Sequence, residues 1–290
     1  MSTQVPALLD GLVDDAAVFP PGSASLPDAV AAHRRHRSSW YADLVGPLLV
    51  PATRLPELAG LLGADERIAV GVIGDVPPDR LAEVRATADP RIRVRQVEAA
   101  VARRGEDPLP GLTGLVALAR HADAGPSALD AVYAELPLTF GLMGALDALA
   151  AARADGVPVA AKFRTGGLAA ELFPTPAELA AVICACRDRG LPFKLTAGLH
   201  QAVRHLDPET GFTHHGFVNV LAATLAAAGG APLARVAELL TAADPRPLVQ
   251  LAEAGLADAR PLWIGFGSCS ILEPLTDLIR LGLVNGGFDA

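Results

Sequence analysis

Eight short, nearly unbroken apolar runs recur along this chain, at residues 16–20, 47–51, 68–74, 92–97, 131–136, 158–164, 192–197 and 262–267. Most are continuous rather than alternating, the pattern of parallel strands covered on both faces. Helix-like stretches lie between them, and several have readable starts. Thr175-Pro176-Ala177-Glu178 combines an N-cap, a proline at the first helical position and a capping-box glutamate. Ser270-Ile271-Leu272-Glu273 repeats that logic after the last run, and Asp75-Val76-Pro77-Pro78-Asp79 reads as a strand-to-helix turn. Eight strands alternating with helices in 290 residues predict an α/β protein, a (β/α)8 TIM barrel forming a single domain over 1–290. An open doubly wound sheet is the other arrangement such alternation permits, but no glycine-rich fingerprint follows an early strand.

The longest interval between runs, 200–259, is read as a His-rich insertion between strands seven and eight, with the regular barrel helix at its end. It is expected to lie over the active-site face and to contain an extra helix at about 216–228. The uncharged stretch 216–234 approaches membrane-spanning length, but its Ala, Gly, Thr and Asn content suits a buried or surface helix. A net charge of −8 argues against a nucleic-acid partner, which needs a basic face. Three cysteines cannot build a disulfide framework, and MSTQVPALLD lacks the basic and apolar regions of a leader. These features predict a soluble cytoplasmic protein with no membrane partner, compatible with homo-oligomers.

Of 24 basic residues only two are lysines, Lys162 and Lys194. Arginine serves for charge, hydrogen bonding and solubility, but it cannot present an amine that loses its proton near neutral pH and attacks a carbonyl. Lysines retained in so arginine-rich a chain are therefore candidates for chemistry. Each falls near the end of a predicted strand, where barrel enzymes carry their catalytic groups. Side by side, two ammonium groups destabilise each other, which predicts that one pKa falls towards neutrality. The alternative is that both are buried ion-pair lysines held by Glu98 or Glu135, acids that interrupt otherwise apolar strands. Those acids could also move protons to and from substrate, or pair with Arg164.

The last strand ends in Gly265-Phe266-Gly267-Ser268-Cys269-Ser270 and opens directly into a capped helix, a ready anion site. Thr196-Ala197-Gly198 supplies a second small-residue turn, and Arg164 and Arg204 offer charge. His200, His205, His214 and His215, with Asp207 and Glu209, follow metal-ligand chemistry but match no established ligand spacing. A polar lid in which one histidine, His200, meets substrate is the preferred reading, with no metal and no cofactor. Cys184 and Cys186 read as helix packing; Cys269 has the address of a nucleophile but no base that sequence can assign.

A lysine followed by Thr165-Gly166, then a lysine with small residues, then Gly267-Ser268-Cys269-Ser270, resembles deoxyribose-phosphate aldolase and its class I relatives over Glu98–Ser270. The resemblance implies that Lys162 forms the Schiff base, Lys194 tunes its pKa and Glu98 moves protons. It implies phosphate binding by Gly198, Gly267, Ser268 and Ser270. Arg164 stands where the family keeps a small residue, which implies a narrower pocket or one that prefers anions. The seventh turn is Ala-Gly instead of Gly-Gly, and the acid is Glu in place of Asp.

The leading expectation is thus a lyase that forms an imine with a small, optionally phosphorylated, ketone or aldehyde. Its catalytic set is Lys162, Lys194, Glu98, Glu135 and His200, and its substrate contacts are Arg164, Thr165, Gly166, Thr196, Gly198, Gly267, Ser268 and Ser270. Two other classes stay open: metal-assisted hydrolysis or isomerisation by the His200–His215 loop with Glu98 or Glu135, and a non-catalytic barrel that binds a phosphometabolite.

Overall fold

The computed structural model describes residues 4–121 and 128–286, save the side chain of Asp79. The first three residues of the stretch read for a leader lie outside the described residues. Eight parallel strands close into a barrel: β1 (Val13–Asp15), β2 (Val45–Pro51), β3 (Ile68–Ile73), β4 (Ile92–Ala100), β5 (Ala131–Glu135), β6 (Val159–Arg164), β7 (Phe193–Thr196) and β10 (Trp263–Ser268). Each pairs with its sequence neighbour, and β10 closes the ring against β1. Helices fill the connections: α1 (Leu26–Arg37), α2 (Leu55–Gly60), α3 (Pro78–Ala86), α4 (Leu109–His121), α5 (Leu142–Ala154) and α6 (Pro176–Asp188) follow the first six strands. This is a TIM-like α/β barrel.

Between β7 and β10 come a two-stranded antiparallel hairpin, β8 (His205–Leu206) with β9 (Thr213–His214), and helices α7 (Phe217–Ala228), α8 (Leu233–Thr241) and α9 (Pro245–Glu253). Helix α10 (Leu272–Arg280) follows the last strand. The uncharged stretch owes its composition to α7, whose residues are mostly buried against α6, α8 and α9. Among the described residues no helix is long and apolar enough to cross a membrane.

Outside the barrel the strands bury an apolar layer under the helices. Phe163 packs on Phe193, and Trp263, Phe266 and Phe217 stack in series. Thr175 forms the full capping box with Glu178 at the start of α6. Ser270 Oγ accepts the Glu273 amide, but the Glu273 carboxylate turns to His200 instead of closing a second box.

One strand differs from the sequence reading. Residues 16–20 form a turn, and the first strand is Val13–Asp15. Two consecutive aspartates argue against a buried strand on propensity alone. Here each has a partner on its own side of the sheet: Asp14 meets Lys194 inside the barrel, and Asp15 lies 3.0 Å from His33 Nδ1 of α1 outside it. The fourth strand also runs beyond 97 to Ala100, which brings Glu98 into the sheet.

Candidate active site

Lys162 and Lys194 occupy paired positions on β6 and β7. Side chains alternate between the two faces of a strand. The flanking residues Ala161, Phe163, Phe193 and Leu195 face the helix layer, so both amines enter the barrel, where they are buried. Lys194 reaches Glu98 of β4 past the two intervening strands β5 and β6, a contact that only the interior permits. TIM-barrel interiors are commonly filled by branched apolar residues. This one carries charge.

Glu98 is the hub. One carboxylate oxygen, Oε1, takes Lys194 and the Gln96 amide, the latter at 2.9 Å. The other, Oε2, lies 2.8 Å from Lys162 Nζ, yet at an angle that leaves it without a hydrogen-bonded partner. Lys162 also meets Glu135 Oε2 at 2.9 Å, and the remaining Glu135 oxygen faces Arg164 at 3.1 Å. Lys194 is held further by Asp14, which in turn accepts Gln96 Nε2 at 2.6 Å. The ring of Tyr133 lies 5.0 Å from the Lys194 ammonium. Asp14 fits because position 46 is glycine; a Cβ there would meet its Oδ1 at 1.9 Å. Three carboxylates against two ammonium groups and one guanidinium leave the cluster formally neutral.

That balance corrects one expectation. Burial pulls both lysine pKa values down, but two facing carboxylates per amine more than offset it, so both are raised and the resting amines are ammonium ions. Repulsion between the amines is outweighed because Glu98 stands between them. Burial raises Glu98 as well, but Lys162 and Lys194 override it and hold its pKa at about 2. Glu135 is likewise pushed up by burial and brought below its usual value by Lys162 and Arg164. Asp14 stays above its usual value, because burial and the nearby Glu98 charge exceed what Lys194 returns.

The other expected residues divide into three places. Arg164 is on the open side of the cluster, lining a cleft of about 250 Å³ with Glu135, Arg104, Glu171, Leu136 and Phe173, at the C-terminal ends of β4, β5 and β6. Thr165, Gly166, Thr196 and Gly198 meet where β6 and β7 end. Thr165 Oγ1 donates to the Ala197 carbonyl at 2.6 Å, and Gly198 has φ +76°, with no room for a Cβ against the Thr165 carbonyl. Gly267 pairs with Thr196 on the adjoining strand, and Ser268 Oγ donates to the Ser270 carbonyl at 2.7 Å. The Thr165 hydroxyl thus ties its turn to the neighbouring one, and those of Ser268 and Ser270 are engaged within their own.

His200 is not brought to the amines. Its Nδ1 lies 3.4 Å from Glu273 and 3.9 Å from Cys269 Sγ, beside a different cleft of about 820 Å³. Burial raises the Cys269 pKa, which leaves the thiol protonated. The remaining histidines disperse: His205 stacks on His214, and His215 is buried under Pro174. Among the described residues no three His, Cys, Asp or Glu side chains converge as a metal-ligand set.

His215 has a consequence of its own. Its Nε2–H donates to the Pro174 carbonyl at 2.8 Å, and its Nδ1 faces Arg204 at 3.4 Å. Burial, with the Arg204 and His214 charges, pushes its pKa down to about 4. Between pH 6.5 and 4 the unfolded chain binds a proton that the folded one refuses, so stability falls on acidification and is whole above 6.5. The loss is about 3 kcal/mol at most. Urea unfolding at pH 7 and 4.5 should show a smaller drop for His215→Gln than for the natural chain; equal drops would remove His215 as the cause.

Sequence reading missed Asp14, Gln96 and Tyr133. The signal was present for two of them: Gln96 and Tyr133 each precede a glutamate of the cluster, Glu98 and Glu135, by two residues and so share its face. No family model, curated protein or solved structure matches the chain.

Proposed function

We propose that the chain is a lyase of the Schiff-base aldolase type, in which Lys162 forms an imine with a small carbonyl compound to make or break a carbon–carbon bond. The observation that carries this reading is the placement of its only two lysines in register on β6 and β7, bridged by the two oxygens of Glu98. Lys162 is the nucleophile because its second partner, Glu135, borders the open cleft, whereas Lys194 is anchored between Asp14 and Glu98. Imine formation begins with loss of a proton from the Lys162 ammonium. Glu98 Oε2, close to that amine and otherwise unsatisfied, is suited to exchange protons at the substrate carbon once the imine has formed. Lys194 keeps Glu98 ionised. The turns at Gly198, Gly267, Ser268 and Ser270 would take an anionic end of a longer substrate, and 200–259 would serve as an insertion above this face.

Borohydride reduction in the presence of a panel of short aldehydes and ketones tests this directly. A stable adduct confined to Lys162, mapped by peptide mass spectrometry, is the expected result; an unmodified Lys162 across the panel defeats the proposal. The completeness of the ion pairing favours one other reading, a non-catalytic barrel whose lysines only balance its buried acids. Under that reading Lys162→Arg leaves ligand affinity intact and there is no turnover to lose.

A further inference from the structure

We propose that Arg164 is the docking point for the carboxylate of a short oxo acid, and that occupying it releases Glu135 to accept the proton that holds Lys162 as an ammonium. This rests on the Schiff-base reading and specifies its substrate class.

The geometry begins with spacing. Arg164 lies two residues beyond Lys162 on β6, so both leave the same face of the strand, Arg164 nearer the mouth. Their exposure differs accordingly: 42% of the Arg164 side chain is open, against 5% for Lys162. Glu135 connects them, with Oε2 on the amine and Oε1 on the guanidinium. Because Oε2 is committed, Arg164 Nε and Nη2 both close on Oε1, at 3.1 Å each. A guanidinium edge is matched best by two oxygens, so an incoming carboxylate with both free is the better partner. The cleft above is small, lined on one side by Leu136, Leu172 and Phe173. In a short oxo acid the carbonyl is one or two bonds from the carboxylate, so an acid seated on Arg164 carries that carbon to the position over Lys162 that Glu135 now spans.

The charges facing Lys162 are Glu98 from β4, Glu135 from β5, Lys194 from β7 and Arg164 from its own strand. When substrate takes Arg164, Glu135 loses one of the two cations that keep it ionised, while remaining largely buried. A proton moves from Lys162 Nζ to Glu135 Oε2 along their existing contact. The neutral amine adds to the carbonyl carbon, giving a carbinolamine. Glu135 returns its proton to the departing hydroxyl, so that water leaves and an iminium remains. Ammonium plus carbonyl has become iminium plus water, and Glu135 is again a carboxylate.

With two lysines, 13C at Cε gives two NMR signals whose shifts report protonation of each amine. The probe is propanoate, which has the carboxylate but no carbonyl and cannot form an imine. Propanoate should move the Lys162 signal towards the neutral amine in the natural chain, not in Arg164→Gln, and only at higher concentration in Arg164→Lys. An unmoved signal, an equal shift with propanamide, or a shift that persists in Arg164→Gln overturns the inference; a response to inorganic phosphate but not propanoate overturns the carboxylate assignment. In borohydride trapping, 2-oxopropanoate should label Lys162 roughly 10- to 100-fold faster than 2-oxopropanamide, the range of a charge-assisted pair. Equal labelling by both defeats the inference while sustaining the Schiff-base reading. A propanoate-induced shift without labelling by any carbonyl does the reverse.

Discussion

Lys162→Arg will abolish borohydride trapping and reduce turnover of whichever carbonyl compound labels the natural protein best by roughly four orders of magnitude, the scale of losing a covalent nucleophile. The substitution keeps the positive charge that Glu98 and Glu135 require, so near-native circular dichroism and a small change in melting temperature are expected alongside the lost activity. Charge without nucleophilicity is the property being separated. Should the longer side chain disturb the buried site, Lys162→Met gives the same test of turnover without added bulk, at the cost of two less well compensated acids. Retained turnover in either variant, measured by consumption of the labelling compound, would assign the chemistry elsewhere. Unchanged affinity for that compound together with an absence of turnover in the natural chain would favour the binding-barrel reading.

Lys194→Met will destabilise the fold by about 3–5 kcal/mol at pH 7, the usual result of removing one partner from a buried charge network. The lysine faces Asp14 and Glu98 at once, and neither acid has a second route to water. The cost depends on pH in a defined direction. Glu98 in the natural chain is held at about 2 after burial is outweighed by the two lysines, so it contributes stability above its unfolded value that is lost as pH falls towards 2. Without Lys194 that depression shrinks, and the gap between variant and natural chain narrows as acid neutralises the stranded carboxylates. Adding Asp14→Asn removes one of those charges and should restore a large part of the loss. Chemical denaturation at pH 7 and 4.5 checks both statements. A neutral Lys194→Met at pH 7 would mean that the barrel interior is wetter than its burial implies.

The alternation of apolar runs and capped helices was enough to give strand number, order and parallel pairing, because period and run length report directly on which faces of a strand are covered. Seven of the eight strands therefore lie close to where the runs do. The scarcity of lysine was equally legible, since it is a property of composition that needs no coordinates. The first strand was not readable: Asp14 and Asp15 look like turn residues until Lys194, 180 positions away, and His33 of α1 supply their partners. The same limit applies to the amines themselves. Sequence placed them on adjacent strands and weighed their mutual repulsion, which would lower one pKa, against pairing with Glu98 or Glu135; closure of the barrel set Glu98 between them and Asp14 and Glu135 on either side, so that both pKa values are raised. Electrostatics in a buried site is a sum over all neighbours in space, and that sum exists only after the strands have closed into a ring. Local pattern thus determined the barrel and where its scarce amines sit along the strands, whereas tertiary structure alone decided their charge state and placed Arg164 and Glu135 at the entrance.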